Sequence, residues 1–275
     1  MPPLSLNFHS KKKFGQNFLT DKNILSKIVE AVGLCGDDII LEVGPGKGVL
    51  TKELVKKAKR VIAVELDKYL YGQLKSELEP CQNLELVNAD ILEFDSAEVL
   101  KKSQSKIKIV GNIPYSITTP ILEYIFENID LVASAYLMVQ KEFALRLVAE
   151  PNTKDYSSIS CFTNFHVEPK LLFKVKRTCF IPQPQVDSCF VRLLPRQPGF
   201  WPVKDKEFLF KVIRTAFNQR RKNILNSLSS LSDKDVVSGV LAELNLDAKL
   251  RPENLSLDDY IRISNVCFDL AQHKP

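Results

Sequence analysis

The chain has 275 residues, 45% of them hydrophobic and 26% charged, with a formal net charge of +5. That balance excludes disordered, collagenous and coiled-coil chains, and the length suits one large domain or a medium domain with a small appendage. Residues 1–60 and 167–196 are basic around an acidic middle, a distribution that can present one positive face to an anionic partner. None of the six cysteines forms a C-x-x-C pair and the three histidines stand far apart, so neither a zinc site nor another metal site is expected. No apolar run reaches 18 residues, which predicts no membrane span. Without a recognisable signal or transit segment, the expected location is the cytoplasm, with reduced thiols.

Thr20 or Asp21 can cap a first helix whose apolar face is Ile24, Leu25, Ile28, Val29 and Val32, with Gly33 placed to end it. DIILEV then runs as an apolar strand into a glycine-rich loop, followed by a helical stripe of Leu50, Leu54 and Ala58. RVIAVELD is a second strand, Leu70, Leu74 and Leu78 mark a helix, and LELVNAD and KIKIVGNIPY are the third and fourth strands. Pro120 opens another helix and SAYLMVQ is a fifth strand. Continuous apolar strands alternating with helices predict a parallel sheet covered on both faces, to which VEPKLLFKV and SCFVRLL add a terminal pair. Two prolines and a glycine at 194–199 read as a linker. Beyond it the stripes Phe208–Phe217 and Val236–Leu244 and a capping box at Ser256 predict helices only. The expected organisation is therefore an α/β domain over 1–196 and a small all-α domain over 200–275.

The loop Gly44-Pro45-Gly46-Lys47-Gly48 has G-x-G-x-G spacing, which is neither the dinucleotide fingerprint nor a Walker loop. Glu65 ends the second strand, 19 positions after Gly46, where a carboxylate can accept both hydroxyls of a ribose. Asp90 ends the third strand and can accept from an exocyclic adenine amine. Loop, ribose acceptor and base acceptor on three successive strand ends suit S-adenosylmethionine. Asn112-Ile113-Pro114-Tyr115 closes the fourth strand. An adenine amine is a weak nucleophile, and two acceptors, the Asn112 amide oxygen and the Pro114 carbonyl, can draw it toward a tetrahedral, reactive shape. Proline lacks an N–H, which suggests a carbonyl left open to the pocket. Tyr115 can stack on a target base taken out of its helix, and Phe180 can cover the other face. Lys11, Lys12 and Lys13 at the start, and Arg220, Arg221 and Lys222 on a helix after the Phe208–Phe217 stripe, suit phosphate contacts.

These segments together resemble the ribosomal RNA adenine dimethyltransferases, and among them the bacterial branch that acts on 16S RNA. The matching stretches are KKKFGQNFLTD at 11–21, LEVGPGKGVLT at 41–51, VELD at 64–67, NAD at 88–90, GNIPYSITTPIL at 111–122, FIPQPQVDS at 180–188 and RTAFNQRRKNILNSL at 214–228. The resemblance covers about residues 11–270. It implies a Rossmann-like methyltransferase domain with a seven-stranded, mostly parallel sheet. It also implies transfer of methyl groups from S-adenosylmethionine to N6 of two adjacent adenosines in the 3′-terminal hairpin of 16S RNA, during assembly of the small ribosomal subunit. Cofactor binding by Asn17, Leu19, Gly44, Glu65, Asp90 and Asn112 follows from it, with the GQNFL segment folded over the cofactor; a monomer is expected. Two departures are mild: the motif reads N-I-P-Y where N-L-P-Y is commoner, and Ser116 stands where Asn is frequent. A relative of similar fold acting on 23S RNA is the nearest alternative, and the V-D-S segment and the Q-R-R-K stretch favour the 16S reading. An organellar relative that doubles as a transcription factor, an assembly factor that binds immature subunits without catalysis and a DNA adenine methyltransferase are the further alternatives.

Overall fold

The structure, a computed structural model, describes residues 16–95 and 105–272. Its first elements are a two-residue strand β1 (Phe18–Leu19), helix α1 (Lys22–Val32), strand β2 (Ile39–Val43), a single helical turn α2 (Thr51–Leu54), strand β3 (Arg60–Val64), helix α3 (Lys68–Leu78) and strands β4 (Leu84–Val87) and β5 (Ile107–Asn112). Asp21, not Thr20, caps α1, its carboxylate accepting from the N–H groups of Asn23 and Ile24. Gly33 ends that helix in the left-handed conformation, φ 58°. Leu70, Leu74 and Leu78 are the buried stripe of α3, and burial of each contributes roughly 1.5–3 kcal/mol. The stripe Leu50–Leu54–Ala58 is not a long helix: regular helix stops at Leu54 and the chain continues in turns, although Leu54 and Ala58 are still buried.

Helix α4 (Thr118–Glu127), strand β6 (Val132–Gln140), helices α5 (Lys141–Leu147) and α6 (Ser158–His166), and strands β7 (Val167–Val175), β8 (Phe180–Ile181) and β9 (Ser188–Pro195) follow. The main sheet has the order β4-β3-β2-β5-β6-β9-β7, with β2 to β6 parallel and β9 antiparallel to β6. All five residues of β2 are buried, as a central strand covered on both faces requires. β1 pairs antiparallel with β8 in a separate two-stranded ribbon, Leu19 opposite Phe180. The C-terminal region is helical: α7 (Lys206–Asn218), α8 (Ile224–Leu228), α9 (Lys234–Glu243) and α10 (Leu257–Gln272). Ser256 and Asp259 form the reciprocal cap that starts α10, with the Asp259 carboxylate accepting from the Ser256 N–H and the Ser256 hydroxyl from the Asp259 N–H.

The chain divides into two compact units, one made of the described residues up to Ala144 together with Lys170–Pro195, the other of Leu145–Pro169 and the residues from Arg196 onward. The division thus departs from a single cut near 196. Residues 145–169 group with the C-terminal helices because Ala149, Tyr156 and Cys161 belong to their apolar core, beside Leu209, Ile213 and Tyr260. Sequence periodicity marked α7 and α9 as amphipathic but carried no sign of this third contributor.

Candidate active site at the strand ends

A cavity of about 300 Å³ opens where β2, β3 and β5 end, the edge at which parallel α/β sheets take their ligands. Asn17, Leu19, Gly44, Gly46, Glu65, Asp90, Asn112, Pro114 and Tyr115 all line it. Gly46 is required twice over: its φ is +59°, and a Cβ there would stand 3.2 Å from the Phe18 ring. Glu65 is 4% exposed. Its Oε2 accepts from the Gly46 N–H at 3.0 Å and its Oε1 from the Asp67 N–H at 2.8 Å. Burial raises its pKa, and these backbone donors act against that rise. Each carboxylate oxygen retains a second lone pair, so the group can serve the loop and a ligand together. Asp90 also has a local task, its Oδ1 accepting from the Leu92 N–H at 3.0 Å. Asn88 fastens the neighbouring strand ends by donating to the Glu65 carbonyl at 2.7 Å.

Asn112 lies at the end of β5. Its Nδ2 donates to the Asn17 carbonyl at 2.8 Å, which fixes the amide with Oδ1 as its remaining acceptor. The Pro114 carbonyl is not left open as its lack of an N–H suggested: it accepts from the Ile117 N–H at 3.1 Å, so one of its two lone pairs is used by the turn. The Tyr115 hydroxyl lies 2.6 Å from the Ser188 Oγ at the start of β9. Burial raises the pKa of this phenol, so it stays neutral. Phe180 corrects the expected arrangement. It is 2% exposed and packs in the apolar core with Ile28, Val110 and Phe190, where its β8 pairing with β1 holds it; it is not among the cavity residues.

Glu42 and Ser188 are functional candidates that sequence reasoning assigned no role. Glu42 lines the cavity at 2% exposure, with Oε2 buried and unpartnered. Burial, aided by the neighbouring Glu65 charge, pushes its pKa up to about 8. The signal was available: a carboxylate in an otherwise apolar central strand, I-I-L-E-V, is out of place. Of the basic residues, Lys11, Lys12 and Lys13 lie outside the described residues. Arg220, Arg221 and Lys222 are exposed, on a turn between α7 and α8 rather than on a helix. Gln219 ends α7, and Asn223 caps α8 through the Asn226 N–H, which leaves the three cations on the connection.

The family model for ribosomal RNA adenine dimethylase matches residues 7–269. The chain belongs to that family. A ribosomal RNA small subunit methyltransferase A from Clostridioides difficile is 41% identical over 94% of this chain and 91% of its own length. A protein of the same description from Bacillus mycoides is 40% identical over 97% and 93%. Among solved structures, a dimethyladenosine transferase from Plasmodium falciparum superposes with a TM-score of 0.78 at 27% identity, over 93% of this chain and 98% of that one. The 23S rRNA methyltransferase ErmE gives a TM-score of 0.71 at 29% identity, over 90% and 98%. The chain is thus an S-adenosylmethionine-dependent ribosomal RNA adenine dimethyltransferase with a Rossmann-like sheet unit. The residues present fit that cofactor: a glycine cradle that a Cβ would fill, and a buried, acceptor-only Glu65 beside it. Among the described residues no group of His, Cys, Asp and Glu could hold a metal ion, and no helix is long and apolar enough to cross a membrane.

Proposed function

We propose that this dimethyltransferase acts on the small-subunit RNA, converting two adjacent adenosines of the 3′-terminal hairpin of 16S RNA to N6,N6-dimethyladenosine during subunit assembly. The observation that carries the reading is the match, about 40% identical over nearly the whole chain, to relatives described as small-subunit methyltransferases. Its setting is the cytoplasm and its working form a monomer.

Within the cavity, Gly44, Gly46, Glu65 and Asp90 hold the cofactor, with Asn17 and Leu19 closing over it from the N-terminal side. When bound, the cofactor supplies an electrophilic methyl group. Asn112 Oδ1 and the remaining lone pair of the Pro114 carbonyl accept the two hydrogens of the target N6 amine, of which one remains to be held in the second transfer. This withdraws its lone pair from conjugation with the ring and stabilises the positive charge that develops on nitrogen. The Asn17 carbonyl keeps the Asn112 oxygen turned toward the amine, and the Tyr115 ring stacks on the extruded adenine. The methylated nitrogen is acidic and loses its proton to water, so no buried base is needed. Exposed Arg220, Arg221 and Lys222, with Lys11, Lys12 and Lys13, contact phosphates, which position RNA without reading it.

The test is incubation with labelled S-adenosylmethionine and undermethylated small subunits, followed by mapping of the label. Label in two adjacent 3′-terminal adenosines is expected. Label only in 23S RNA would overturn the substrate assignment.

A further inference from the structure

The helical unit carries a second feature that the cavity does not use. Three of its cations rest on aromatic rings. The Arg196 guanidinium sits 4.6 Å from the centre of the Phe200 ring and 5.6 Å from that of Trp201. Lys206 Nζ lies 5.6 Å from Phe210, and Arg214 is 5.1 Å from Phe162. Among the described residues none of these three cations pairs with a carboxylate, whereas neighbouring cations do: Lys204 with Asp269 at 2.5 Å, and Arg262 with Asp259 at 3.3 Å. None of the three is therefore neutralised by a direct ion pair. Burial and the nearby Lys206 push the pKa of His166 down to about 4, so at neutral pH it adds no charge.

The strip is also held in place. Arg196 Nε donates to the Asn164 carbonyl at 2.7 Å, and the Arg196 N–H to the His166 carbonyl at 3.0 Å. Trp201 Nε1 reaches the same Asn164 carbonyl at 3.3 Å and its ring meets Phe200 edge-on at 5.0 Å. Phe162 and Phe210 pack at 4.9 Å, so the rings under Arg214 and Lys206 touch. Phe200 nonetheless stays 53% exposed. An aromatic ring braced edge-on by Trp201, backed by a guanidinium and left open to solvent has the build of a stacking platform.

We propose that this strip is an RNA-contact surface, in which Phe200 backed by Arg196 stacks an unpaired base while Lys206 and Arg214 take the adjoining phosphates. The inference rests on ribosomal RNA being the substrate but not on which subunit supplies it. Proteins commonly recognise unpaired RNA bases by stacking them on aromatic and guanidinium planes, and salt-dependent phosphate contacts accompany the stacking.

The full-length protein is titrated with naked 16S RNA and with naked 23S RNA, and the RNA bound more tightly becomes the probe. A preference for 23S RNA counts against the small-subunit assignment alone and leaves the strip testable. Phe200→Ala should weaken binding about five- to hundred-fold, with Phe200→Tyr near wild type. The pair Lys206→Gln and Arg214→Gln removes two phosphate-binding cations and should make the slope of log affinity against log salt shallower by about 1.4–1.8. All three substituted positions are exposed, and the melting temperature and S-adenosylmethionine affinity should stay at wild-type values. Unchanged RNA affinity in Phe200→Ala, or an unchanged salt slope in the double variant, overturns the proposal. The latter result would mark the strip as a solvated face or a protein-docking surface.

Discussion

The two walls of the strand-end cavity are held by different means. The strand-end part of the cofactor wall is local: Glu65 grips the Gly46 N–H 19 positions back and the Asp67 N–H two positions on. The acceptor wall is assembled from afar: Asn112 is oriented by Asn17, 95 positions away, and Tyr115 by Ser188, 73 positions away. A wall built from successive strand ends forms as the sheet forms. A wall that needs the N-terminal segment and the last strand of the chain in register is complete only when the whole unit is folded. The first should therefore tolerate distant substitutions, and the second should not.

The largest expected effect strikes the acceptor wall. Asn112→Ala removes the amide oxygen aimed at the amine and should slow methyl transfer about 10²–10³-fold, as loss of an oxyanion-hole donor does in acyl transfer. Single-turnover rates at saturating cofactor isolate that step, and a near-normal rate would return Asn112 to a purely structural part.

Next comes the pH dependence of the cofactor wall. The Glu42 pKa is raised in the fold to about 8 from 4.5. A raised carboxyl pKa means that the folded state keeps a proton the unfolded state has lost. Stability is thus fully present below about pH 4.5, falls as pH climbs toward 8 and then levels. Glu65, raised in the same direction, contributes with the same sign. Glu42→Gln should flatten the fall, with a difference of up to about 3 kcal/mol by pH 7. Denaturant midpoints measured from pH 5 to 8 check it; parallel curves for the two proteins would mean that Glu42 ionises freely.

Glu65→Ala should be smaller, weakening S-adenosylmethionine binding by roughly 1–3 kcal/mol, the penalty for hydroxyls left without their acceptor. Calorimetry measures it directly. Because the Gly46 N–H loses its partner too, part of the loss is looser loop geometry. Unchanged affinity would show that the loop alone carries the cofactor.

The difference between the walls also explains what the sequence disclosed. Gly44, Gly46, Glu65 and Asp90 could be picked out because short-range spacing reports on successive βαβ units, and the buried stripe of α3 is plain from its four-residue spacing. Asn112, Pro114 and Tyr115 could be marked as one cluster, but not their holders, since nothing in N-I-P-Y says that Asn17 or Ser188 will arrive beside it. Phe180 shows the same limit: an aromatic before a proline-rich turn does not say what it packs against, and here it pairs with Leu19 and lies in the apolar core beside Ile28 and Phe190. The basic cluster falls on a turn and not on the expected helix, since nothing in the sequence marks Gln219 and Asn223 as the ends of two helices. The missing N–H of Pro114 says nothing about its carbonyl, because the donor that occupies it, Ile117, lies in the next turn.

The smallest effect gives the sharpest test of the contrast. Ser188 is fully buried and its hydroxyl meets that of Tyr115 at 2.6 Å. Ser188→Ala leaves a half-buried phenol without its partner, worth about 0.5–1.5 kcal/mol if the ring then samples other orientations. That predicts a transfer rate lowered about two- to tenfold with the RNA substrate, because Tyr115 no longer stands where the base must stack. Cofactor affinity should not move, since Ser188 touches nothing on the Glu65 side. Tyr115→Phe removes the same bond from the other end. The double variant should therefore be no slower than either single one, the signature of a shared interaction. Ser188→Thr keeps a hydroxyl and should recover most of the rate. If Ser188→Ala instead lowered cofactor affinity as much as it lowered transfer, the two walls would be one coupled structure, and the division between a locally built and a remotely built wall would fail.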